Sequence, residues 1–174
     1  MLATLEALKL RLGIDHDRQD GQFTQMLAGI SAAVETYLER KIEAADYTER
    51  YNGNGKARLV LNQYPVQAVT SVRINGRAAE GWDFDDWLLM RPHGFDKGLR
   101  NVEVRYRAGY ETVPADIAEA VLEIAMQRIN EAKNGGIQSK TLAGETITFA
   151  TFAQSGGMPP AAYSILQQYR RKAA

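Results

Sequence analysis

The stretch Asn101-Val102-Glu103-Val104-Arg105-Tyr106-Arg107-Ala108-Gly109-Tyr110-Glu111-Thr112-Val113-Pro114-Ala115-Asp116-Ile117 decides the reading of the fold, because its periodicity changes partway. Val102, Val104 and Tyr106 alternate with Glu103, Arg105 and Arg107, the pattern of a strand with one face buried. Pro114 then suits the first turn of a helix, where its missing N–H removes no bond. Asp116 places negative charge at the positive end of that helix. Beyond it, Ile117, Val121 and Ile124 form one apolar row, and Ala118, Leu122, Ala125, Met126 and Ile129 form a second. Two rows are wider than the usual single stripe. Such a helix lies at the centre of its own bundle or is buried again against a neighbouring subunit.

Upstream of this junction the chain divides by period. Leu2, Leu5, Leu8 and Leu12 recur at helical spacing until Gly13, and Phe23, Met26, Leu27, Ile30, Val34, Tyr37 and Leu38 mark one face of a long amphipathic helix. Asp15 and Asp17 are candidate caps for that second helix. After about Ala45 the pattern turns strand-like. Tyr47 to Tyr51 and Ala57 to Leu61 flank Asn52-Gly53-Asn54-Gly55, which reads as a hairpin turn. Val69 to Ile74 reads as a further strand, Asn75-Gly76 as a tight turn, and Trp82 to Met90 as including another strand.

Downstream, Asn134 to Gly157 is rich in glycine, serine and threonine and reads as a flexible loop, with Thr146 to Phe149 of strand character inside it. Pro159-Pro160 opens a last short helix with Tyr163, Leu166 and Tyr169 directed inward and Arg170, Arg171 and Lys172 at its end. The expected fold class is α+β, mainly α: a small helical bundle with an inserted antiparallel β-hairpin or sheet region. The expected division is a helical first part at 1–45, a β-rich insertion at 46–110, and a helical second part at 111–174 that contains the flexible loop 134–157.

The totals narrow the function. The 174 residues carry 21 Lys plus Arg and 21 Asp plus Glu, for zero formal net charge, without the excess of positive charge usual in a dedicated nucleic-acid binder. No cysteine is present, which removes thiolate chemistry, cysteine metal sites and disulfides together. No run approaches the ~18 apolar residues that span a membrane, and Met1 to Glu6 lacks the basic and apolar regions of a secretory signal. No membrane partner is expected, and synthesis in the cytoplasm is.

Candidate chemistry is sparse. His16 sits between Asp15 and Asp17, where three consecutive side chains rarely converge on one ion, so a solvated cap is the better reading. His93 lies in an Arg91-Pro92-His93-Gly94 turn with no nucleophile motif near it. Asp83, Asp85 and Asp86 could hold a divalent cation but lack the spacing and glycine of an EF-hand loop. No catalytic, cofactor or metal residue is assigned, and no cofactor is expected. Arg170, Arg171 and Lys172 form the densest positive patch, more suited to an acidic protein partner than to nucleic acid.

Taken in order, these pieces resemble the head–tail connector, or adaptor, family of long-tailed phages. The resemblance rests on Leu5-x-x-Leu8-Lys9, Glu35-x-Tyr37-Leu38-x-Arg40, Tyr47-Thr48-Glu49-x-Tyr51-x-Gly53, Leu59-x-Leu61, Tyr64-Pro65-Val66 and Val69-x-Ser71-Val72 with Asn75-Gly76. It continues through the Tyr106-x-Ala108-Gly109-Tyr110 to Pro114-x-Asp116-Ile117 junction, Gly144-Glu145-Thr146-Ile147-Thr148-Phe149 and Leu166-x-x-Tyr169-Arg170-Arg171. The resemblance implies a small helical bundle carrying a β insertion. It also implies a non-enzymatic virion neck subunit that forms a ring, dodecameric to match the portal. The ring extends the DNA channel without sequence-specific DNA contact and offers a surface to the next neck or tail-completion protein. Other readings are a different neck or tail-completion subunit, or a small nucleic-acid-binding regulator using the basic C-terminus. On the ring reading, Ile117, Val121, Leu122, Ile124, Met126, Ile129, Phe149 and Phe152 are the expected subunit interface. Tyr163, Leu166, Tyr169, Arg170, Arg171 and Lys172 are the expected portal-docking surface.

Overall fold

The computed structural model describes residues 1–133, 139–142, 145–148 and 157–170, the two short stretches as backbone alone. Helices α1 (Leu5–Leu12) and α2 (Asp20–Leu38) come first. Seven strands follow: β1 (Ala45–Gly53), β2 (Arg58–Val60), β3 (Val66–Ile74), β4 (Arg77–Ala78), β5 (Asp83–Asp85), β6 (Leu88–Met90) and β7 (Gly98–Ala108). Then come α3 (Ala115–Lys133), a hairpin of β8 (Ser139–Leu142) and β9 (Glu145–Thr148), and α4 (Pro160–Tyr169). The chain forms two compact units, Met1–Glu39 with Val113–Ala174, and Arg40–Thr112.

In the helical unit, α1 is bounded by local chemistry. The Thr4 hydroxyl accepts from the Ala7 N–H at 3.2 Å, and Gly13 ends the helix at φ 66°, where a left-handed residue lets the next N–H groups reach back to Lys9 and Leu10. Helix α2 starts differently from the sequence reading. Its cap position is Gln19, without a side-chain cap bond; Asp15 lies further upstream, and Asp17 opens the turn into the helix, its carbonyl accepting from the Asp20 N–H. Phe23, Leu27, Ile30, Val34 and Leu38 of α2 are buried, as their spacing requires. Leu2 is buried too, its N–H donating to the Ser31 hydroxyl, which itself bonds back to the Leu27 carbonyl. Helix α3 packs on α1, α2 and α4 alike, which buries its first apolar row and Leu122 and Ala125 of the second.

The second unit overturns the expectation of a mainly helical bundle with a small β insertion. Residues 40–112 build two antiparallel sheets, in the orders β1-β7-β3-β4 and β2-β6-β5, around a core of their own. That core joins Leu59 and Leu89 of the smaller sheet, with Leu61 just past β2, to Val72, Ile74, Val102, Val104 and Tyr106 of the larger, and includes Phe95. Local pattern understates the strand content because β2, β5 and β6 are three residues each, too short for alternation to show. The expected hairpin is also corrected. β1 pairs with β7, from Ala45↔Ala108 to Gly53↔Gly98, and β2 pairs with β6, so Asn52-Gly53-Asn54-Gly55 carries the chain from one sheet to the other. Gly53 is needed there for close approach: a Cβ on it would lie 1.8 Å from the Asp96 carbonyl oxygen. Asn75 and Gly76, at φ 53° and 79°, form the two-residue turn between β3 and β4. Near the helical unit's C-terminal half, Thr146 to Thr148 does lie in a strand, paired antiparallel with β8. The rest of the glycine-rich segment, at 134–138, 143–144 and 149–156, lies outside the described residues.

Central strand β7 needs both neighbours. Its inner side chains Val102, Val104, Tyr106 and Ala108 are all buried, with β1 on one side and β3 on the other. The Tyr106 hydroxyl donates to Glu49 Oε2 at 2.6 Å and accepts from the Gln63 N–H at 3.2 Å. Tyr51 donates to the same carboxylate oxygen and accepts from the Asn62 N–H at 3.0 Å. Burial, and then the hydrogen bonds to Glu49, push both tyrosine hydroxyls well above their usual range. Because the folded-state pKa values are raised, the stabilisation they confer is complete below about pH 10, the ordinary tyrosine value. It declines as pH rises beyond that, where the unfolded chain ionises and the folded chain resists ionisation. The melting temperature of the wild-type chain should therefore fall steadily from about pH 10 upward. Tyr106→Phe should flatten that fall while costing about 1–3 kcal/mol at neutral pH, since it strips Glu49 and the Gln63 N–H of a buried partner. Thermal melts between neutral and strongly alkaline pH would check both; an unchanged alkaline slope in the variant would count against this account.

Candidate assembly surfaces

The expected interface residues on α3 divide by burial. Ile117 and Val121 are fully buried, and Leu122 and Ile124 retain 6% and 5% exposure, all within the helical unit. Their place is the unit's own core, the first of the two alternatives open to a helix with such a wide apolar face. Met126 and Ile129, in the later turns of the same helix, stay half-buried. Ile129 lies in a groove with Leu12, Ile14 and Met26, where Arg128 and Lys133 supply a cationic rim. A second groove along α2 and α3 shares Arg128 and is closed by Tyr37, Met158 and Tyr163. Phe149 and Phe152 lie outside the described residues.

The expected docking residues on α4 are mostly tied to their own unit. Leu166 is fully buried, and the Tyr163 ring sits 6.1 Å from that of Tyr37, tilted by 52°. The Tyr169 hydroxyl donates to both carboxylate oxygens of Asp116 in the first turn of α3, at 2.8 and 2.7 Å. A single short helix would be marginal in water; these contacts hold α4 at home. Arg170 is different. Its guanidinium lies 3.8 Å from Glu39 and 5.5 Å from the Tyr37 ring centre while its side chain keeps 53% exposure. A pair this open is screened and adds little to stability, which leaves the charge available to a partner. Arg171 and Lys172 lie outside the described residues.

The helical unit also carries ion pairs that no local pattern announces. Arg11 at the end of α1 meets Glu119 on α3, and that hydrogen bond holds the guanidinium's pKa above its ordinary value. Lys9 meets Asp20 at 2.9 Å, joining the end of α1 to the start of α2. In the β unit, Arg40 is only 5% exposed, with its guanidinium 3.9 Å from the Tyr64 ring centre and a hydrogen bond to the Tyr64 carbonyl. Nothing in the sequence around Arg40 distinguishes it from a surface arginine; only the return of Tyr64 against it does.

On its outer face the four-stranded sheet alternates charge. Glu103 pairs with Arg50 at 3.0 Å, and Arg107 pairs with Glu111 at 3.0 Å and Asp46 at 3.5 Å. Arg105 and Arg107, on the polar side of the β7 alternation, are therefore set in a mixed, largely self-compensated surface. Among the described residues no cluster of His, Asp and Glu is arranged to hold a metal ion, and no helix is long and apolar enough to cross a membrane. His93 is exposed, as are Asp83, Asp85 and Asp86.

Comparison with known proteins places this geometry. The fold is similar to chains in three structures of gene transfer agent (GTA) particles. Against the neck of an empty GTA particle computed with C6 symmetry, the TM-score is 0.60 at 17% identity over 89% of this chain and 80% of that one. Against the neck of a native GTA particle computed with C12 symmetry, it is 0.59 at 17% identity over 91% and 86%. Against the virion of a native GTA particle, it is 0.58 at 18% identity over 92% and 82%. At these identities the likeness is one of fold. No curated protein matches the sequence. The model of the head completion protein family matches residues 1–172, nearly the whole chain and both of its units. The resemblance to phage head–tail connectors is thereby borne out, and the chain belongs to the head completion protein family.

Proposed function

We propose that this chain is a structural subunit of the virion neck, forming a ring beneath the portal that joins the DNA-filled head to the tail. Membership of the head completion protein family across residues 1–172 carries the reading. The fold shared with chains from GTA necks computed with C6 and C12 symmetry supports a cyclic arrangement, and twelve copies would match a dodecameric portal. In this role the protein works by contact rather than catalysis. Its ring lengthens the DNA channel without reading sequence and presents a surface to the next neck or tail-completion protein. Each subunit in a ring uses two different patches, head to tail, and closure follows from the rotation between neighbours. On the helical unit, half-buried Met126 and Ile129 are the α3 residues left for such contacts, and exposed Arg170 offers charge to an acidic portal surface.

Particles produced without this chain should accumulate as packaged heads without tails, and supplying the chain should restore tailed particles. Tailed, infectious particles lacking it would overturn the proposal. The purified chain should form higher oligomers at high concentration. Sedimentation that shows only monomer, both at high concentration and with portal added, would remove the ring from the reading.

Variants in α4 separate docking from folding. Leu166→Asp places a carboxylate in a fully buried apolar site, and should cost more than about 3 kcal/mol through lost packing and buried charge together. Arg170→Glu with Arg171→Glu should change stability by less than about 0.5 kcal/mol, yet weaken capture by portal and raise the share of leaky, tailless heads. Circular dichroism melting paired with a portal pull-down reads both effects. Wild-type capture and virion yield in the charge-reversed chain would show that this end is not the docking element.

A further inference from the structure

The β unit carries two unneutralised charge clusters at opposite ends of its strands. Three turns meet at one end. The Asn75 N–H donates to the Asn101 carbonyl at 2.8 Å, the Arg100 N–H to Asn52 Oδ1 at 2.7 Å, and the Gly55 N–H to the Phe95 carbonyl at 2.7 Å. This cross-bonded tip exposes Lys56, Arg77, Lys97 and Arg100, with Asp96 as the acid among them. Among the described residues none of the four cations pairs with a carboxylate. Between Lys97 and Arg100 projects Leu99, 83% exposed. A large exposed apolar side chain that shares a cross-bonded tip with cations has the anatomy of a protein-contact site, with an apolar anchor, polar neighbours and little ordering cost on binding.

The turn between β5 and β6 lies at the other end. It is held there by the Val66 N–H, which donates to the Asp86 carbonyl at 2.6 Å, whereas Ile74 at the far end of β3 adjoins the tip. Eight residue steps along β3 separate the two ends by roughly 26 Å. Asp85 and Asp86 are exposed at this turn beside half-buried Phe84 and Trp87, and neither carboxylate has an ion pair among the described residues. At that separation the clusters lie well beyond a Debye length of about 8 Å and cannot neutralise each other within one chain.

We infer that the basic tip of one copy, with Leu99 at its centre, docks on the acidic β5–β6 turn of a second copy. The inference rests on the ring reading and names a contact within it. The charges are opposite, and the apolar parts match, since Leu99 requires an apolar surface and Phe84 and Trp87 offer one. Opposite ends of one unit make the contact head to tail, the geometry a ring needs, rather than a self-complementary pair. Duplex DNA could take the cations but would leave Leu99 without cover, so a protein surface is favoured over phosphate.

The absence of cysteine makes the test direct. The full chain carrying Leu99→Cys and Asp86→Cys, oxidised in concentrated solution and in purified particles, should give a ladder of covalent multimers on a denaturing gel. Either single variant should give no ladder. Lys97→Glu with Arg100→Glu should lose self-association, and so should Asp85→Lys with Asp86→Lys. Mixing the two charge-reversed chains should restore it, because one native and one swapped contact then alternate. Tailed particles or oligomers that contain the double-cysteine chain but yield no ladder would overturn this contact and leave the neck reading standing. Tailed particles that form without the chain would overturn the neck reading itself. Duplex-DNA binding lost in the Lys97→Glu, Arg100→Glu chain with self-association unchanged would reassign the tip to nucleic acid and overturn the contact.

Discussion

The two ends of the β unit must come together before the helices on either side can share a core. Helices α1 and α2 precede it, α3 and α4 follow it, and 73 residues at 40–112 stand between them. The ends are joined by short-range pairing. The Ala44 N–H donates to the Tyr110 carbonyl at 3.0 Å, and the Tyr110 N–H to the Ile42 carbonyl at 2.8 Å, a parallel bridge at Glu43↔Tyr110. Gly109 makes the approach possible: at φ 107° it adopts a conformation that other residues rarely take, and a Cβ there would lie 2.7 Å from the Glu43 carbonyl oxygen. Arg40, buried over Tyr64, adds a second clasp at the same end.

The pairing of β7 with both β1 and β3 places those ends. It sets Ala108 opposite Ala45 on one side and Val66 on the other. The Glu49, Tyr51 and Tyr106 group then makes that register specific. Tyr51 reaches Glu49 along its own strand, but the buried Tyr106 hydroxyl reaches it only when β7 arrives in this alignment, and a slip would strip that hydroxyl of its carboxylate partner at a cost of about 1–3 kcal/mol. With the ends joined, α2 and α3 pack together, and α1 and α4 complete the cover of α3. The same separation into units suits an assembly role. Each unit has its own buried core.

Much of this was legible in local pattern. The 3.6-residue spacing of Phe23, Leu27, Ile30, Val34 and Leu38 and of Ile117, Val121 and Ile124 identified α2 and α3, and the strict alternation of Val102, Val104 and Tyr106 identified β7. The ordered motifs from Leu5 to Arg171 pointed to the family that the comparison then matched. The full β content is not legible, because β2, β5 and β6 are too short to show a period, and the neighbour of β1 is not either, because Asn52-Gly53-Asn54-Gly55 has the composition of a hairpin turn but lies where two sheets part.

The sequence by itself determined the elements with long, regular periods, the sharp turn at Asn75-Gly76, the lack of cysteine chemistry and the family. These depend on residues within a few positions of one another. Only the tertiary structure decided which strands pair, that Ile117, Val121, Leu122 and Ile124 of α3 are spent in its own core, that Leu166 packs at home, and that Lys56, Arg77, Lys97 and Arg100 gather with Leu99 at one tip. Those outcomes depend on residues up to 108 positions apart, as Arg11 and Glu119 are. Which apolar face meets which is settled by the burial available to the whole chain at once, and no local period encodes that.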